Sequence, residues 1–107
     1  MTDAILADLL KGLRADVAEM SQEALAKEMN ARGFSWHVTT TNKIEKGARR
    51  LTATEIFAIA EIFGINLADF DVHRVRELIL NRQRERAAAD LADAQARLAQ
   101  IDAELRQ

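Results

Sequence analysis

Cysteine is absent from the 107 residues, which excludes a disulfide framework, a thiolate metal site and a cysteine nucleophile together. Proline is absent too, and glycine occurs only four times, as Gly12, Gly33, Gly47 and Gly64, so few points force the chain out of a helix. Neither sign of charge dominates: 15 lysines and arginines face 17 aspartates and glutamates, and the net charge of -2 by itself points to no partner. The longest uninterrupted apolar run, Ile56 to Ala60, has five residues, far short of the roughly 20 that cross a bilayer. Asp3 stands where a leader peptide wants base. A cytoplasmic protein that neither crosses nor enters a membrane is the expectation, with one compact core and at most an appendage.

What is present is helical periodicity without any strand signal. Leu6, Leu9, Leu10, Leu13 and Val17 share one face of a helix from about Thr2 to Val17, capped by Thr2 or Asp3. Ser21 is placed to cap a second helix reaching about Asn30, in which Leu25 and Met29 turn inward, and Gly33 follows as a stop. A polar segment from Ser35 to Lys46 closes at Gly47, where a left-handed helix end is expected. Thr52 and Glu55 form a capping box ahead of Ile56, Ile59, Ala60 and Phe63, and Gly64 ends that helix. Asn66 then caps a brief turn carrying Leu67 and Phe70. No breaker interrupts the 37 residues from Asp71 to Gln107, which as one helix would make a rod about 55 Å long.

Charge lies in blocks that the net value hides. Residues 27–50 carry +4 and residues 72–86 carry +3, whereas residues 1–26, 51–71 and 87–107 carry -3, -4 and -2. A basic stretch set in an acidic globule is what a polyanion footprint needs, although a merely solvated face would look the same. Within that stretch, a helix over Val38 to Lys46 places Thr41, Ile44 and Ala48 in one stripe and Thr39, Asn42, Lys43 and Lys46 in the opposite one. Thr and Asn are poor helix formers, so helix stability does not account for them. They suit the major groove, where Asn pairs bidentately with adenine, Lys donates to guanine and Thr touches the thymine methyl. Gln22, beside the free amides of a helix start, is suited to a phosphate, and Arg49 and Arg50 stand where a chain leaving a groove would follow the backbone.

Ser21-Gln22-Glu23-Ala24-Leu25-Ala26-Lys27, then Lys43-Ile44-Glu45-Lys46-Gly47, then Thr54-Glu55-Ile56 and Ile62-Phe63-Gly64-Ile65-Asn66-Leu67, resemble the Cro/phage-repressor (xenobiotic-response-element, XRE) helix-turn-helix family over about residues 5–70. The resemblance implies a lambda-repressor-like bundle of five helices in residues 1–71, followed by a long C-terminal helix over 72–107. It implies that helix 2 rests on phosphates through Gln22 while helix 3 reads the major groove. The DNA-binding set expected on residue type and resemblance together is Gln22, His37, Thr39, Thr40, Asn42, Lys43, Lys46, Arg49 and Arg50. The resemblance also pairs Glu45 with Arg14 of helix 1. Two features depart from the pattern. The link between Gln22 and Ile44 is about four residues longer than the compact form, leaving Trp36 either to plug the expanded turn or to lie against the sugar-phosphate backbone, the plug being favoured. Thr41 replaces an aliphatic residue, so its methyl is expected to pack and its hydroxyl to bond to the backbone.

Along the rod, Val72, Val75, Leu78 and Ile79 suit packing on the core. From Ala87 a 4-3 spacing through Leu91, Ala94, Leu98, Ile101 and Leu105 marks a dimerisation seam. Folding back on its own domain, or a different protein partner, are the other fates of such a stripe. Arg74, Arg76, Arg82, Arg84 and Arg86 point several ways, either solvated, paired with Glu77 and Glu85, or in part against flanking phosphate. The function expected is a dimeric, sequence-specific repressor on an inverted-repeat operator of double-stranded DNA. An antitoxin or protein-interaction module using the C-terminal helix is the alternative. No enzyme, metal or cofactor is expected, since His37 and His73 stand apart from any ligand cluster and no phosphate-binding glycine loop occurs.

Overall fold

The computed structural model describes residues 2–107, and among them every regular element is helical. Helix α1 spans Asp3–Gly12 and continues directly into a π-helical turn, Leu13–Val17. Of the two candidate caps it is Thr2 that serves, its hydroxyl accepting from the Ile5 amide at 3.2 Å. Helix α2 spans Gln22–Ala31 behind Ser21, whose hydroxyl accepts from the Ala24 amide at 3.0 Å. Helices α3 (Val38–Glu45) and α4 (Ala53–Phe63) follow, then a 3-10 turn at Leu67–Asp69 and the 34-residue α5, Val72–Leu105. Gly33, Gly47 and Gly64 adopt φ of 92°, 78° and 69°, as helix ends that turn left-handed require.

The core follows from the apolar faces. Leu10, Leu25, Ala26, Met29, Trp36, Ile44, Ala58 and Ile59 form one buried cluster, joining α1 to α2, α3 and α4. Trp36 is the plug of the lengthened turn, not a surface ring. Asn30 fixes that turn from both sides: its amide donates to the Trp36 carbonyl and its carbonyl oxygen accepts from the Trp36 amide, each at 2.7 Å. Ala48 departs from its expected place beside Thr41 and Ile44. The helix ends at Glu45, Gly47 reverses the chain, and Ala48 is exposed.

A second cluster, Leu9, Leu13 and Ile79, seats α5 on α1, so the last helix of the bundle and the rod are one continuous helix. Val72 and Val75 pack there as expected, whereas Leu78 is 42% exposed, one helical step away from the buried Ile79. The approach is close because Gly12 has no side chain: a Cβ at Gly12 would lie 2.7 Å from both Cδ1 and Cγ2 of Ile79. Gly12→Ala is therefore expected to destabilise the fold by about 1 kcal/mol, crowding of about 1–3 kcal/mol outweighing the roughly 1 kcal/mol gained in helix propensity. Urea unfolding of a double-mutant cycle checks this, since the penalty should vanish in an Ile79→Ala background.

Polar contacts extend the seat into the π-turn. Asp16 accepts from Gln83 Nε2 at 2.8 Å and from Arg86 Nη1 at 3.0 Å. Arg86 thus pairs with the bundle and not with its helical neighbour Glu85, which lies 3.8 Å from Arg82. Beyond Arg86 every residue is exposed, and the molecule measures 62 × 29 × 23 Å.

Candidate nucleic-acid interface

Helix α3 is held by its inner face. Ile44 is buried in the core, and Thr41, wholly buried, donates its hydroxyl to the Gln22 carbonyl at 3.2 Å while its methyl packs. This is the arrangement expected of a threonine replacing an aliphatic residue. At the end of the helix, Glu45 is clamped by Arg14, with Nε to Oε2 at 2.6 Å and Nη2 to Oε1 at 2.9 Å. The same guanidinium donates to the Met20 carbonyl at 2.7 Å. The Arg14 and Glu45 side chains are only 10% and 3% exposed, so this bidentate pair is a buried one and the resemblance located it correctly.

The opposite face is left to solvent. Thr39, Lys43 and Lys46 are exposed and Asn42 is half-buried, and none of these four side chains hydrogen-bonds another described residue. Thr40 is half-buried and its hydroxyl accepts from the His37 amide at 3.2 Å, so it caps α3 from inside the first turn. His37 is the N-cap residue itself and is exposed. Gln22 opens α2, half-buried, with Nε2 donating to Glu45 Oε1 at 3.3 Å. Its amide is thus tethered at the joint between the two helices, beside backbone N–H groups that have no intrahelical acceptor.

The two arginines after Gly47 differ. Arg50 is 86% exposed and lies 3.0 Å from the exposed Asp3. Arg49 is engaged inside the domain: Nη1 and Nη2 reach the Glu55 carboxylate at 3.1 and 2.9 Å, and the guanidinium lies 5.8 Å from the Trp36 ring centroid. Glu55 is the hub. Beyond its capping-box bond to the Thr52 amide at 2.8 Å, it accepts from the Trp36 indole N–H at 2.6 Å. Burial pushes its carboxyl up, but hydrogen bonds from Arg49, Thr52 and Trp36 outweigh that and hold it at about 2 against an ordinary 4.5.

Sequence reasoning missed this hub, the Asn30 clamp and the Asp16 contacts. The capping box marked Glu55, but nothing local told that the same carboxylate also neutralises Arg49. Among the described residues, no group of three or more His, Asp or Glu side chains could hold a metal ion, and no helix is long and apolar enough to cross a membrane.

No curated protein and no solved structure matches the chain. The helix-turn-helix family matches residues 10–70, from the last turn of α1 to just past the 3-10 turn. That span holds the crossed α2 and α3, the buried Arg14–Glu45 pair and the polar outer face just described, and the chain belongs to the Cro/C1-type (XRE) helix-turn-helix family of DNA-binding regulators.

Proposed function

We propose that the chain is a homodimeric repressor that reads an inverted-repeat operator of double-stranded DNA with α3 in the major groove. The observation that carries the proposal is the division of α3: a side locked by Thr41, Ile44 and Glu45, and an opposite side of Thr39, Asn42, Lys43 and Lys46 whose side chains have no hydrogen-bond partner among the described residues. Short amide and hydroxyl side chains read base edges, and lysines reach guanine or phosphate. Gln22, His37 and Thr40 line the helix starts that would meet the backbone, and Arg50 supplies an exposed cation beside them. Arg49, bound to Glu55, contributes by holding this loop in place, with its remaining exposure available to a phosphate. Two copies on one face of the duplex would set half-sites about 34 Å apart, and occupancy would block polymerase.

Duplexes selected from a random pool with the full chain provide the test. On the selected site Asn42→Ala should cost about 1–3 kcal/mol and none on random DNA, whereas Arg50→Ala should weaken both alike and lower the salt slope by about 1. Equal losses for Asn42→Ala on both would overturn base reading. The exposed aliphatics of α5 support a second reading, an antitoxin-like module whose rod covers another small protein; stoichiometric co-purification of such a protein would favour it.

A further inference from the structure

Along α5 runs a largely exposed apolar stripe, and beyond Arg86 no other described residue covers it. Leu80, Leu91, Leu98, Ile101 and Leu105 are 56%, 60%, 59%, 50% and 78% exposed, and they recur at alternating steps of four and three once Arg84, Ala87 and Ala94 are counted between them. The order of large and small along this seam is informative. In a parallel pair each residue meets its own copy, so Ala–Ala layers at 87 and 94 would alternate with Leu–Leu layers at 91 and 98. Helix spacing follows the side chains at the contact, about 8 Å for small and about 10 Å for large ones, and one straight pair cannot satisfy both. Parallel pairing would also set Arg84 against the partner's Arg84 inside the seam.

We propose that two copies of α5 pair antiparallel, each leucine of the central layers facing an alanine. Resting on the homodimer reading above, this adds its orientation and register. In the register that satisfies the charges, Leu91 packs on the partner's Ala94, Ala87 on the partner's Leu98, and Leu80 on the partner's Leu105. Facing a small residue with a large one at every central layer keeps the helix spacing uniform. Flanking the seam, Asp90 meets the partner's Arg97, and by symmetry the contact occurs twice. Displacing the register by one heptad would set Arg97 against its own copy and Asp90 against the partner's Glu104, both repulsive. Arg84 then lies beside the partner's Ile101, with its stem on the seam and its charge at the edge. The end layer also meets a recess of the bundle: Leu80 lines a cleft of about 360 Å³ between α1 and α5, together with Lys11 and Ala15, and the partner's last turn is carried to its rim. Two copies of Ile79, where each rod rests on its bundle, would stand about 40 Å apart along the pair.

The absence of cysteine makes the test clean. Full-length Ala87→Cys and Leu98→Cys chains are oxidised singly and as an equimolar mixture, without DNA. Antiparallel pairing gives disulfide-linked dimer in the mixture and little in either chain alone, because like positions lie about 16 Å apart. Self-linking of Ala87→Cys would overturn the orientation while leaving the dimer intact. Linking of Ala87→Cys to Leu105→Cys in place of Leu98→Cys would overturn the register. A chain that sediments as a monomer at high concentration would remove the homodimer reading as well. A charge exchange covers the chance that Leu98→Cys weakens the seam. Asp90→Arg should loosen the dimer roughly five-fold, and adding Arg97→Asp should restore it. In a parallel pair, Arg97→Asp would instead face Asp102 and worsen the loss. A chain that pairs in this way yet ignores every duplex would sink the DNA-reading proposal alone.

Discussion

Arg14→Ala is expected to destabilise the fold by about 3–5 kcal/mol, the largest effect of any single truncation proposed for this chain. The size comes from what remains: the Glu45 side chain, 3% exposed, would be left with only the 3.3 Å contact from Gln22, and the Met20 carbonyl would lose its 2.7 Å donor. Urea unfolding at neutral pH reads the loss. Replacing both partners with Met should recover much of it, since a buried ion pair exchanged for apolar side chains of similar volume often costs little. The recovered protein should nevertheless bind DNA less well. Without the Glu45 carboxylate nothing would tether the Gln22 amide at the joint of α2 and α3, and the outer face of α3 would sit less firmly.

The second large effect is the pH dependence carried by Glu55. Its carboxyl titrates near 4.5 in the unfolded chain and at about 2 in the folded one, so the unfolded state binds the proton more readily. The stabilisation, about 3 kcal/mol, is therefore complete above pH 4.5 and lost as pH falls towards 2. Glu55→Gln should be weaker than the parent by a similar amount at pH 7, and the two unfolding curves should converge near pH 2. A difference that persists unchanged at pH 2 would show that Gln fails for reasons of shape. The convergence would identify the charged bonds to Arg49, with those to Thr52 and Trp36, as the source of the stability.

The helices were legible where the chain punctuates itself. Ser21 with its following turn, the Thr52 and Glu55 box, and the left-handed Gly33, Gly47 and Gly64 each act over three or four residues, and sequence displays such spacings directly. The two stripes of α3 were readable for the same reason, as was Thr41, whose methyl and hydroxyl admit few other fates on an inner face. Arg14 and Glu45, 31 residues apart, became a pair only through the family resemblance. What stayed hidden is non-local or conformational. Gln83 and Arg86 reach Asp16 across 67 and 70 residues with no periodic trace. The π-turn at Leu13–Val17 continues the apolar period of α1 closely enough to pass for ordinary helix, and Glu19 then takes a φ of 53° that no side-chain preference announces. Arg49 reads as a free cation because its acceptor was already assigned to a cap.

The missing side chain at Gly12 decides the mechanics of the long helix. It lets Ile79 sink against α1 beside Val72 and Val75, and with Asp16 holding Gln83 and Arg86 the helix is gripped from residue 72 to 86, a root of roughly 20 Å, before an overhang of roughly 30 Å begins. Such a cantilever transmits play at its root to its tip with a gain of only about 1.5, the ratio of those two lengths. The azimuth of the Leu91–Leu105 stripe is consequently fixed with respect to the outer face of α3, and the distance between anything seated on one and anything seated on the other is a matter of helix length, not of bending.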